Sequence, residues 1–227
     1  MAHVRFRATL GGTLAALAAA NVLAHRVPAA SVLIGVGLTG TLAAVARAGR
    51  LTAADLGLAR RSWPSGVRWG GACAAVVATG YGVAMLVPAA RGLVTGAGPG
   101  WGPTLLAALV VIPLGTVIPE EFAFRGVLWG LLRRRCGPRV ATLVSSGLFG
   151  LWHVAPALAA GPANDAMSAV VGSGPLGVAV RVIATVVFTG AAGVLLCEVR
   201  ARSNSLLAPL ALHGAVNGIG QIVVQLA

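Results

Sequence analysis

Two adjacent carboxylates, Glu120 and Glu121, stand in the stretch Pro119-Glu120-Glu121-Phe122-Ala123-Phe124-Arg125-Gly126, in a chain of 227 residues that holds only five acidic groups. The sequence on either side is apolar. An ionisable side chain at the centre of an apolar span costs about 3 kcal/mol on insertion scales, so it is a functional hypothesis by default. Glu121 and Arg125 are four residues apart, share a helix face and can pair. Pairing lowers the cost of holding both charges in lipid. Glu120 is rotated by about 100° from Glu121 and lacks the arginine as a partner. A carboxylate so placed suits a proton acceptor.

Two further constellations lie downstream. Phe149-Gly150-Leu151-Trp152-His153 sets His153 one helical turn after Phe149, and His213-Gly214-Ala215-Val216-Asn217 sets His213 and Asn217 on one face. Arg133, Arg139 and Arg202 mark a common membrane edge. At about 1.5 Å of rise per residue, Glu120 lies roughly 20 Å from that edge, His153 roughly 21 Å, His213 roughly 16 Å and Asn217 roughly 22 Å. Three helices thus carry their polar groups to a similar depth, which favours one shared site. Taken singly, the same residues have plainer readings. A lone histidine in an apolar span is usually a hydrogen-bonded packing residue, and interhelical His and Asn contacts contribute about 1 kcal/mol or less. The Glu121–Arg125 pair by itself reads as structural. Glu120 resists that reading, because a neutral residue would pack at lower cost.

The elements that must position these groups are membrane helices. The chain is 57% hydrophobic and 10% charged, too little charge to cover the surface of a soluble domain. Its mean hydropathy is +0.89. Apolar runs of spanning length recur throughout, and nothing alternates as a membrane β-barrel would require. The expected fold class is all-α, a polytopic transmembrane bundle of about seven spans, at roughly 8–24, 29–46, 67–89, 104–132, 139–157, 176–197 and 205–226. Residues 1–99 read as N-terminal transmembrane helices with a loop, and 100–227 as the core that carries the motifs. Arg47 to Arg68 reads as an aqueous loop and Gly96 to Pro103 as a turn. Ala159 to Gly174 reads as a longer loop holding Asn164 and Asp165.

The net charge of +12 comes from arginine, since the chain has no lysine. The arginines cluster between apolar runs, a pattern of topology signals and anionic-lipid contacts rather than of nucleic-acid binding. With the N-terminus inside, thirteen arginines, from Arg5 and Arg7 to Arg200 and Arg202, fall on the inner side, and only Arg26, Arg91 and Arg181 on the outer. The expected location is therefore the cell inner (plasma) membrane, multi-pass, with a cytoplasmic N-terminus. The Ala, Gly and Arg bias is that of a GC-rich bacterial genome. Cys73, Cys136 and Cys197 share no metal-type spacing and read as small buried hydrophobes. The first apolar run reads as an uncleaved helix, for no small-x-small cleavage site precedes His25 and Arg26.

At these residues the chain resembles the CPBP family, the CaaX proteases and bacteriocin-processing enzymes also called the Abi family. Its Glu-Glu-x-x-x-Arg motif corresponds to Glu120, Glu121 and Arg125. Its Phe-x-x-x-His motif corresponds to Phe149 and His153, and its His-x-x-x-Asn motif to His213 and Asn217. Each motif alone is weak, but the ordered triple on separate spans is specific, and it covers about residues 100–227. The resemblance implies hydrolysis of peptide bonds within the membrane. It implies that Glu120 and His153 activate a water and that His213 and Asn217 stabilise the oxyanion. Glu121 and Arg125, on the facing argument, would hold the helix and the Glu120 rotamer. The favoured reading has no cofactor; were zinc present, Glu120, His153 and His213 would be its ligands. Expected partners are a peptide or membrane-protein substrate and the bilayer. A non-enzymatic scaffold or bacteriocin-immunity protein retaining the fold is the alternative. A serine site fits poorly, since Val171-Gly172-Ser173-Gly174 lacks the first glycine such sites carry. An aspartyl site fits poorly too, since Asp55 and Asp165 lie in loops.

Overall fold

The structure is a computed structural model that describes residues 2–91, 98–159, 172 and 174–226. Among these residues every regular element is helical. Helices α1 (Ala2–Arg26) and α2 (Ser31–Ala48) pack together across the turn Pro28–Ala30. A single turn, α3 (Ala53–Leu56), precedes α4 (Trp63–Leu86). Helix α5 starts at Trp101, α6 runs to Trp152 with a short extension over Val154–Ala159, and α7 (Pro175–Ser203) and α8 (Leu207–Leu226) complete the bundle.

Among the described residues six helical stretches are long and apolar enough to cross a membrane. The longest, Trp101–Ala159, is two passes rather than one rod. Gly137, at φ 81° and ψ 170°, leaves the helical region, and Pro138 follows it. Only glycine adopts that backbone without strain, and proline readily opens the returning helix. The chain doubles back there: Ser145 Oγ donates to the Phe124 carbonyl at 2.8 Å, and Trp129 Nε1 donates to Thr142 Oγ1 at 3.1 Å. Helix α5 thus ends at 136 and α6 begins at 138, which gives about seven passes.

The core surrounds the second half of α5, where residues 119–132 are all buried. Leu42 of α2, Phe149 of α6 and Cys197 of α7 pack around it. Helices α6 and α7 approach closely because small residues face each other. A Cβ on Gly150 would lie 2.6 Å from the Val186 carbonyl oxygen. In lipid, where apolar burial drives little, such close packing is the main adhesive between helices.

The expected aqueous loop over Arg47 to Arg68 is instead ordered and partly buried. Thr52 and Asp55 form a reciprocal capping box that closes α3, and α4 begins at Trp63, ahead of the expected start. Pro64, in the first turn of α4, favours that earlier start. Asp55 is buried. It accepts hydrogen bonds from Thr52 and from Arg134 of the α5–α6 hairpin, while Arg200 Nη2 donates to its carbonyl at 3.0 Å. Burial pushes the Asp55 carboxyl up, but the bonds from Arg134 and Thr52 outweigh that and hold it below its ordinary value of 3.8. The expected turn at Gly96 to Pro103 is shorter than read, since helix begins at Trp101. Asn164, Asp165, Val171 and Ser173 lie outside the described residues.

Candidate active site

Helix α5 is not uniformly α-helical where it carries the carboxylates. Wider π-type turns run over Ala107–Val111, Pro113–Val117 and Phe122–Leu128, and the α-helical turn Ile118–Glu121 is set between the last two. Pro113 and Pro119 have no N–H to donate and their rings crowd the preceding turn, so the ladder widens around them. Glu120 and Glu121 both end that one α-turn and are both buried, but they point to different partners.

Glu121 and Arg125 are wholly buried and pair at 3.0 Å through Oε1 and Nη1. The same Oε1 lies 2.9 Å from His213 Nδ1 of α8. This carboxylate therefore joins α5 to α8. Glu120 Oε1 instead accepts from Trp152 Nε1 of α6 at 2.9 Å, and among the described residues its Oε2 has no hydrogen-bond partner. Among the described residues the side chain that hydrogen-bonds Glu120 is Trp152, while Glu121 bonds Arg125 and His213.

His153 sits where α6 ends, at φ −86° and ψ 1°, and its Nδ1 lies 2.8 Å from the Phe149 carbonyl. A carbonyl only accepts, so Nδ1 carries the proton and Nε2 stays uncommitted. His213 has the matching arrangement, with Nδ1 on Glu121. Phe149 separates these imidazoles from the cation. Arg125 Cζ is 4.0 Å from its ring centroid, the His153 ring meets it edge-on at 4.7 Å, and the His213 ring at 6.1 Å. A desolvated guanidinium over an aromatic face is held by the ring quadrupole, which suits an Arg125 whose Nε and Nη2 lack hydrogen-bond partners. On the far side, Asn21 of α1 donates to the Trp152 carbonyl at 3.0 Å and steadies the end of α6.

Glu120, Phe149, His153, His213 and Asn217 all line one cavity of about 200 Å³ between α5, α6, α7 and α8. Thr116 and Thr189 add hydroxyls, and Phe188, Leu195, Leu196 and Val216 give it apolar walls. Trp152 and Asn21 are the functional neighbours that the sequence did not single out. Trp152 carried a signal: a tryptophan in mid-span, away from the interfacial belt, needs a buried acceptor for its indole N–H. Asn21 carried none. Among the described residues no three His, Cys, Asp or Glu side chains are grouped to hold a metal ion.

These features define a multi-pass helical membrane protein with a buried carboxylate, two imidazoles and an amide around one intramembrane cavity. The Type II CAAX prenyl endopeptidase Rce1-like family profile matches residues 102–219, just over half of the chain, and the chain belongs to that family. The family is one of membrane-embedded endopeptidases, whose substrates are peptides or proteins. No curated protein and no solved structure matches the chain.

Proposed function

We propose that this chain is an intramembrane glutamic endopeptidase whose catalytic residues are Glu120, His153, His213 and Asn217. The observation that carries this reading is the one cavity lined by all four, with a Glu120 Oε2 that has no hydrogen-bond partner among the described residues. Glu120, aided by His153 Nε2, takes a proton from water as the hydroxyl oxygen bonds to the scissile carbonyl carbon. The tetrahedral oxyanion accepts from the Asn217 amide and from His213. Glu121 Oε1, 2.9 Å from His213 Nδ1, orients the His213 ring toward that position. Preorganised donors of this kind in a dry site contribute about 3 kcal/mol each. Collapse breaks the C–N bond, and the leaving amine takes its proton from Glu120.

The apolar cavity walls support a substrate that presents apolar side chains beside the scissile bond: a peptide, a leader or a membrane-protein segment, with prenylated CAAX ends the substrate that the family description names. The arginines of the α5–α6 hairpin and of the α7 end gather at one end of the bundle with the N-terminal segment, where Arg135 lies 5.7 Å from the Phe6 ring. That supports placement in the plasma membrane with this end in the cytoplasm. The reaction proposed here uses no metal ion. Purified protein is expected to cleave without stoichiometric zinc, and zinc whose removal abolishes cleavage would overturn that part.

The decisive experiment compares newly formed peptide termini in host membranes carrying the wild type or Glu120→Gln at matched levels. Termini present only with the wild type are expected. Their absence, with both proteins folded and abundant across hosts of differing proteome, would instead favour a non-enzymatic scaffold.

A further inference from the structure

At the arginine-rich end lies a second cavity, of about 390 Å³, that the peptidase reading does not use. It is lined by Arg61, Arg133 and Arg202, by the polar side chains of Ser62, Ser65 and Asn204, and by no carboxylate. Among the described residues no acidic group pairs with Arg61 or Arg133. Arg202 has only the exposed Glu198 at 3.3 Å, and Arg133 turns toward the Trp129 ring at 5.1 Å. Three arginines thus line one hollow that no carboxylate lines, and an anion held there would relieve their mutual repulsion.

Ser62, in the lining of the cavity, directly precedes the 24-residue helix α4. Trp63 stands exposed at the same level, as tryptophan does at the headgroup layer. The hollow is therefore at the depth of lipid phosphates. Its opposite wall is the α7–α8 turn, Ser203 and Asn204, whose fold is fixed by Ser203 Oγ on the Val199 carbonyl at 2.7 Å and by the left-handed Asn204. An anion held there would join the start of α4 to the turn that leads into α8, the helix of His213 and Asn217.

We infer that this cavity is a binding site for a phosphate group, supplied by the headgroup of an anionic phospholipid, with Arg61, Arg133 and Arg202 as its ligands. Guanidinium forks match phosphate oxygens in geometry and charge. The inference is independent of the peptidase reading, since none of its residues lines the catalytic cavity.

The test uses the full chain in detergent, with short-chain phosphatidylglycerol, short-chain phosphatidylcholine and inorganic phosphate as separate probes. Bound mass by native mass spectrometry and the midpoint of thermal unfolding are the readouts. Phosphatidylglycerol is expected to bind and stabilise, and phosphatidylcholine is not. Arg61→Gln combined with Arg202→Gln, both exposed side chains, is expected to weaken binding by roughly tenfold or more. Arg5→Gln combined with Arg7→Gln removes equal charge near the same end and is expected to leave binding within about twofold, as screening of separated surface charges implies. Inorganic phosphate that binds with the same arginine dependence would establish the site and assign it to free phosphate. Equal losses in the two double variants would reduce the effect to diffuse surface attraction and overturn the proposal, as would binding of none of the probes.

Discussion

Two buried acidic sites in this protein, Asp55 and the Glu120–Glu121 pair, use their carboxylates to different ends. Asp55, at the arginine-rich end, has both oxygens engaged by Arg134 and Thr52, and its carbonyl receives Arg200. The Glu120–Glu121 pair, in the bundle interior, leaves one oxygen of each carboxylate without a hydrogen bond among the described residues. A carboxylate that serves only the fold saturates its acceptors, because each open one costs free energy. A carboxylate that serves chemistry keeps an oxygen for the reactant, and the surrounding packing must bear the cost. Glu121 stands between the two types. It ties Arg125 to the fold and His213 to the cavity with one oxygen.

The comparison yields ordered tests. Glu120→Gln keeps the Trp152 contact and removes the proton acceptor, so cleavage is expected to fall by about 10³ with the unfolding midpoint unchanged. Unfolding of this variant would move Glu120 to the structural side. Glu121→Ala leaves the Arg125 guanidinium buried and unpaired, at an expected loss of about 3–5 kcal/mol of stability together with activity. If chemical unfolding in micelles shows a loss under about 1 kcal/mol, the pair is not the tie described here. Asn217→Ala removes one oxyanion donor and is expected to lower kcat by about a hundredfold, with KM little changed and the fold intact.

The smallest effect belongs to Asp55. Arg134 is partly exposed, so screening discounts the pair, and Asp55→Asn is expected to lose about 1 kcal/mol with peptidase activity per folded molecule retained. Its carboxyl is held below 3.8 in the fold. The stabilisation is therefore complete above that value and is lost as pH falls through the lower folded one. Wild type is expected to lose this margin in thermal unfolding at pH below about 4, and Asp55→Asn has none to lose there.

The sequence alone determined the helical membrane class, because apolar runs of spanning length with so few charges admit no other solvent. It also marked Glu120, Glu121, Arg125, Phe149, His153, His213 and Asn217, because charge and imidazole stand out against lipid-facing residues, and helical spacing assigns faces without tertiary information. It could not read the loop over Arg47 to Arg68, whose burial depends on Arg134 and Arg200 arriving from distant helices. It paired Glu121 with Arg125 because that contact is local, and left His213 out because that contact joins residues 92 positions apart. The same holds for Trp152 on Glu120 and for the three arginines around one hollow. Spacing along one helix is written in one segment of chain. Which helices meet, and which oxygen remains open where they do, is decided only when small residues such as Gly150 let the backbones close.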